Sequence, residues 1–155
     1  MFGGSTGITS VTIPSNVTDI VNGAFYNSSN ITSLTINSNT LASKTFTQTS
    51  NLSSILGNNL TNITLGNNIT AIGNYAFYGC SGLTSIGNGG SIEITSNVTS
   101  IGSFAFGNCI NITSIIIPNT VTTIGTSAFY RCLNLTSITL SNSITTLSNN
   151  MFNDC

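Results

Sequence analysis

One phrase recurs along this chain. From Ile112 it runs Ile-Thr-Ser-Ile-Ile-Ile-Pro, then Val121-Thr-Thr-Ile124-Gly, then Ala128-Phe129-Tyr-Arg-Cys132. It occurs from Ile8 (Ile-Thr-Ser-Val-Thr-Ile-Pro, Val17-Thr-Asp-Ile20, Ala24-Phe25) and again from Leu135 (Leu-Thr-Ser-Ile-Thr-Leu, Ile144-Thr-Thr-Leu147, Met151-Phe152-Asn-Asp-Cys155). A period of about 23 residues lies in the range of solenoid coils, where each repeat is one supersecondary unit. A single unit cannot bury its apolar face, so such coils must stack.

Each opening is rich in β-branched residues and bounded by Pro, Asn or Ser, which predicts a strand. Pro14 and Pro118 follow directly and cannot donate to a ladder. Next comes a Val/Ile-Thr-x-Ile segment, at Val17, Ile69, Val98, Val121 and Ile144. Gly73, Gly102 and Gly125 follow it in three coils, suggesting a tight turn with an unusual backbone angle. The coil closes on a core phenylalanine, at Phe25, Phe77, Phe106, Phe129 and Phe152, in a short helical turn on the convex side. Coils are expected to start near residues 8, 31, 52, 83, 112 and 135, giving about six in one array over residues 1–155. The middle is irregular. Coil two lacks the Ala-Phe signature, and Phe46 substitutes for the core phenylalanine. Coils three and four are expanded at residues 56–62 and 87–91. A rival register opens coil three at Leu60 instead of Leu52, and both remain open at this level.

The polar face is built from neutral residues: 155 residues include only Asp19, Lys44, Glu93, Arg131 and Asp154 as charged side chains. So neutral a surface gives little repulsion between molecules and favours association. Two basic residues cannot hold a phosphate backbone, which argues against nucleic acid. They also give no attraction to an anionic membrane, and no apolar run approaches the roughly 20 residues of a membrane span. The start carries no signal-peptide pattern. The first repeat begins almost at once and the last ends without a polar cap, which predicts a fragment or a unit that stacks end to end.

The words Val-Thr-x-Ile-Gly-x-x-Ala-Phe-x-x-Cys followed by Leu-Thr-Ser-Ile resemble the BspA-like leucine-rich repeats. The match is close from Ile69 to Cys80, from Val98 to Cys109 and from Val121 to Cys132, and looser from Val17 to Ser28 and from Ile144 to Cys155. The resemblance implies a leucine-rich-repeat solenoid, with a parallel β-sheet on the concave side and short helical turns or extended segments on the convex side. It also implies a cell-surface or secreted protein of bacteria or microbial eukaryotes, or a virion surface, acting in adhesion. The family shares no catalytic residues, so none carry over.

Cys80, Cys109, Cys132 and Cys155 each stand three residues after a core phenylalanine, with Ser28 in the same place in coil one. Zinc sites usually take ligands in close pairs; one cysteine per coil and no histidine predicts a buried thiol column instead. Ten Asn-x-Ser/Thr sequons, at Asn16, Asn27, Asn30, Asn51, Asn59, Asn62, Asn68, Asn97, Asn111 and Asn134, follow from repetition of an Asn- and Thr-rich phrase. On the strands, residues flanking the central aliphatic point outward. They form a candidate binding face of Ser10, Thr12, Ser33, Thr35, Asn62, Thr64, Ser114, Ser137 and Thr139. Asn58, Asn59 and Asn88 extend it into the inserted segments, where solenoids often bind. Thr ranks also raise ice binding, although Glu93 and Ile116 interrupt them. Tyr26, Tyr78 and Tyr130 follow core phenylalanines and suit either an interface or burial between coils.

With no histidine, no paired carboxylates and no phosphate loop, neither an enzyme nor a cofactor or metal is expected. The chain reads as an interaction or adhesion module for a protein or glycan ligand, at the cell surface or outside the cell. The alternative is a self-associating structural subunit of a filament, appendage or virion surface.

Overall fold

The computed structural model describes residues 7–25, 28–86, 90 and 92–155. Its strands are short and parallel. A seven-stranded sheet contains β1 (Ser10–Ile13), β2 (Ser33–Ile36), β3 (Asn62–Leu65), β5 (Ser85–Ile86), β6 (Ile92–Glu93), β8 (Ser114–Ile116) and β10 (Ser137–Thr139). A three-stranded sheet contains β4 (Ala71–Ile72), β7 (Ser100–Ile101) and β9 (Thr123–Ile124). Two helical turns, α1 (Asn39–Ala42) and α2 (Leu52–Leu56), occupy the irregular middle. The larger sheet runs in the order β1-β2-β3-β6-β5-β8-β10. Equivalent residues of the repeat lie side by side, Val11 on Leu34 on Ile63 and Ile86 on Ile115 on Ile138. A one-residue slip would turn every buried aliphatic outward.

The structure decides between the two registers open for coil three. Leu52-Ser-Ser-Ile55, the expected opening, is helical, and the strand belongs to the phrase that starts at Leu60. A capping box accounts for the choice. Asn51 Oδ1 accepts from Ser54 N at 3.0 Å, and Ser54 Oγ accepts from Asn51 N at 2.9 Å. This satisfies two otherwise orphaned donors at the helix start. Segment 56–62 is therefore not a projecting loop: Asn58 O accepts from Gly82 N at 3.2 Å, and Asn59 Nδ2 donates to Ser29 O at 2.8 Å. Coil two fills the missing Val-Thr-x-Ile segment with α1, which buries Leu41 and Ala42, while Phe46 is buried as expected.

Phenylalanine forms the centre of the core. Phe77, Phe106, Phe129 and Phe152 stack in one rank, with ring centroids 5.5, 5.8 and 5.5 Å apart. Phe25, also expected in the rank, is half-buried against the same core. The Ala-Phe stretch is a run of turns whose alternate amides reach the next coil. Phe77 N donates to Ala105 O and Phe106 N to Ala128 O, both at 2.9 Å. To do so the backbone passes through left-handed conformations at Tyr75, Phe104, Ser127 and Asn150, with φ of 57°, 54°, 55° and 54°. Thr side chains add a second ladder: Thr113 Oγ1 donates to Thr84 O, and Thr136 Oγ1 to Thr113 O, both at 3.1 Å.

The glycine rank serves a different purpose from the one expected. Gly73, Gly102 and Gly125 do not adopt positive φ; a Cβ on each would strike backbone of the preceding coil, at Gly102 lying 2.5 Å from Asn74 N. Glycine here permits close approach between coils. Because the obstacle is backbone rather than a flexible side chain, Gly102→Ala is expected to destabilise by about 1–3 kcal/mol or more. Chemical denaturation would measure the loss, with Gly7→Ala, where nothing lies within 4 Å, as the control.

Candidate functional site

The sheet register gathers nine of the sequence-predicted site residues onto the concave face. Ser10, Ser33 and Asn62 form one rank, and Thr12, Thr35 and Thr64 form a second that continues to Glu93. Ser114 and Ser137 align with Ser85, and Thr139 aligns with Ile116. Ser10, Thr12, Asn62, Thr64, Ser137 and Thr139 are exposed, while Ser33, Thr35 and Ser114 are half-buried. The remaining candidates do not join this face as expected. Asn58 and Asn59 sit in the turn after α2, with the inter-coil bonds already described, and Asn88 lies outside the described residues.

The ranks change character at coil four, where one coil supplies two strands. β6 carries the ladder from β3, β5 carries it on to β8, and among the described residues the two meet at Ile86 and Ile92. The resulting step holds an open depression of about 560 Å³, lined by Thr64, Leu65, Asn67, Glu93, Ile94, Thr95, Ser96, Ile116 and Pro118. Glu93 is exposed and supplies its one carboxylate. Ile116, at 46% exposure, supplies an apolar side chain to a lining that also holds Thr64 and Ser96. The site can accept a donor-rich or cationic group and cover an apolar one. Among the described residues it holds no nucleophile with a neighbouring base. Glu93 and Ile116, read from sequence as interruptions of a Thr rank, are thus the residues that distinguish this part of the face.

The cysteines have a packing role. All four are free, and Cys80, Cys109 and Cys132 are buried. Cys109 Sγ donates to Phe77 O at 3.2 Å, Cys132 Sγ to Phe106 O at 3.5 Å and Cys155 Sγ to Phe129 O at 3.1 Å. Each thiol thereby ties its coil to the phenylalanine of the preceding one. Burial pushes the Cys80 and Cys132 thiols up to about 12, and Cys109 also rises well above its ordinary value, again through burial. Among the described residues no group of three or more His, Cys, Asp or Glu side chains could hold a metal ion.

Several sequon asparagines are also tied into the stack. The amide nitrogens of Asn68 and Asn111 donate to Asn37 O at 2.6 Å and Ser81 O at 2.8 Å, and that of Asn97 donates to Asn67 O. Asn51 is buried in its cap. Such cross-coil use explains how a surface with few charges stays ordered. The cross-coil ion pair is Lys44 with Asp19, whose carboxyl is held below its usual value chiefly by the hydrogen bond from Lys44. Among the described residues, no helix is long and apolar enough to cross a membrane.

A model of the BspA type leucine rich repeat region matches residues 1–86 and 88–155 in six copies. The chain belongs to the BspA-type leucine-rich repeat family. Among solved structures it is similar to a leucine-rich repeat protein from Bacteroides ovatus, with 29% identity over 87% of this chain, 32% of that one and a TM-score of 0.64. It also shares its fold with the Treponema pallidum leucine-rich repeat protein, with 21% identity over 92% of this chain, 53% of that one and a TM-score of 0.59. The BspA-type array described here thus spans about a third and about half of those proteins. None of the curated proteins is similar to it in sequence.

Proposed function

We propose that this BspA-type array is a non-catalytic interaction module of a surface or secreted protein. It takes a protein or glycan ligand on its concave face, centred on Thr64, Glu93, Thr95 and Ile116. The observation that carries this reading is the step at coil four, where an otherwise repetitive hydroxyl face acquires a carboxylate, an exposed isoleucine and a depression within a few residues. Repetition supplies a broad neutral surface, and departure from repetition supplies discrimination. A large part of solenoid recognition follows this division, since insertions within single repeats gather on one face.

The test is a binding screen of the immobilised chain against extracellular matrix proteins and surface glycans, repeated with Glu93→Gln and Ile116→Ser. A specific ligand whose affinity falls at least ten-fold in either variant supports the reading. Failure of all such ligands to bind, or binding of a protein ligand that is indifferent to both substitutions, overturns it.

A second reading is a self-associating structural element of a filament, appendage or virion surface. It is favoured by the five charged residues of the chain and by the pairing of two of them, Asp19 and Lys44. Sedimentation at micromolar concentration decides it: concentration-dependent assembly supports it, and a stable monomer removes it.

A further inference from the structure

A second groove lies on the turn-built side of the coils and shares no residue with the concave depression. It measures about 370 Å³ and is lined by Gln48, Tyr75, Tyr78, Phe104, Ser127, Tyr130, Asn150 and Asn153. Half of that lining is aromatic, half is amide or hydroxyl, and none is charged. Two columns of the repeat build it. Tyr75, Phe104, Ser127 and Asn150 occupy the left-handed position of successive coils. Tyr75 and Phe104 stack at 4.9 Å with planes 6° apart. The aromatic column then stops, because coil five places Ser127 where Phe104 stood, and the floor drops.

The walls come from the neighbouring column. Tyr78 is tilted against Tyr75 at 5.6 Å and accepts a hydrogen bond from Gln48 Nε2 at 2.9 Å. Its ring lies where the next coil has Gly107; a Cβ there would come within 2.9 Å of Tyr78 Cδ2. Tyr130 meets Phe104 edge-on, at 5.9 Å and 74°. The three tyrosines are half-buried, and each ring packs against a neighbouring ring. Few sites of this kind suit an ion. The lining offers apolar ring surface with convergent neutral donors and acceptors, the usual division of labour in a small-ligand site.

The geometry points to a binding site for a neutral oligosaccharide in this groove. The carbon–hydrogen face of a pyranose covers ring surface, while its hydroxyls find the amides of Gln48, Asn150 and Asn153. A phosphorylated or sulfated ligand would find no cation in the lining. A wholly apolar one would leave three amide side chains without partners, which is costly once they are covered.

The chain carries its own reporter. It has no tryptophan and four tyrosines, three of which line the groove. Titration with cellohexaose, mannohexaose, xylohexaose and chitohexaose is read by tyrosine fluorescence and by calorimetry. At least one of these neutral sugars is expected to give a saturable change. Its affinity should fall at least ten-fold in Tyr130→Ala and in Asn153→Ala, which replaces an exposed side chain, and survive largely intact in Tyr130→Phe. Thermal melting of each variant shows that the fold is retained. Thr64→Arg, on the concave face, should leave sugar binding unchanged, so this inference and the concave reading fail separately. No saturable change with any of the four sugars overturns the inference. Sugar binding that survives Tyr130→Ala and Asn153→Ala, or that is lost in Thr64→Arg, overturns it as well.

Discussion

Replacing Phe106 with alanine is expected to lower stability by about 3–5 kcal/mol. Phe106 is fully buried and stacked on both faces, against Phe77 at 5.5 Å and Phe129 at 5.8 Å. Losing the ring removes its transfer energy, leaves a cavity, and breaks two aromatic pairs that each add about 0.5–1.5 kcal/mol beyond area. Collapse around the cavity is limited, because the coil spacing is held by backbone bonds on either side, including Phe106 N to Ala128 O. Phe152 stacks on one neighbour and is half-buried, so Phe152→Ala should cost roughly half as much. Urea denaturation of both variants measures the difference. Equal losses would mean that the phenylalanine rank does not hold the coils together.

Alkaline pH should unfold the protein through its thiol column. The Cys80 and Cys132 thiols rise from an ordinary 9.0 to about 12 in the fold because burial disfavours the thiolate. Since the folded value is raised, the stabilisation is intact below pH 9.0 and is lost as pH climbs from 9.0 toward 12. Over that window the unfolded chain releases protons that the folded chain retains. Each such thiol removes about 1.4 kcal/mol per pH unit, and Cys109 acts in the same direction. Denaturation midpoints measured between pH 8 and 11 should therefore fall steeply. The triple variant Cys80→Ser, Cys109→Ser, Cys132→Ser should show a markedly flatter profile, whatever its stability at pH 8. Serine suits the site, since Ser28 is buried at the same position of coil one. Identical slopes for the two proteins would contradict a buried, protonated column.

The coil was legible in the sequence because repetition constrains register. When Ile115 and Ile138 occupy the same place in two copies, stacking must set them side by side, as β8 and β10 do. The phenylalanine rank and buried thiols follow from the same reasoning. Coil three was not legible by period alone: Leu52-Ser-Ser-Ile55 and Leu60-Thr-Asn-Ile63 both fit the opening. A local signal decided between them, the reciprocal cap of Asn51 and Ser54. The glycine rank was visible but its cause was not, because a close approach and a positive φ select the same residue. The convex groove was harder still. Its left-handed positions hold tyrosine, phenylalanine, serine and asparagine, so no residue type marks them. The repeat aligns Tyr75, Phe104 and Ser127 just before the Ala-Phe pair, but only the fold shows that the first two stack into one column.

The concave site was half legible. Alternation placed Thr12, Thr35 and Thr64 on one outward rank, and the register aligns them. The split of coil four into β5 and β6 is not dictated by the period of the repeat. Glu93 and Ile116 therefore read as defects in a repeat until the sheet placed them around one depression.

The central claim is that protein recognition belongs to the concave face at coil four and not to the array as a whole. Its most direct test is the affinity of one ligand from the binding screen, measured for the unaltered chain, Thr64→Arg and Tyr130→Ala. Thr64 is exposed in the middle of β3, so arginine there should change stability by no more than about 0.5 kcal/mol. The expected result for a protein ligand is a loss of at least ten-fold with Thr64→Arg, at an unchanged melting temperature, and no loss with Tyr130→Ala. Full binding by Thr64→Arg would contradict the claim.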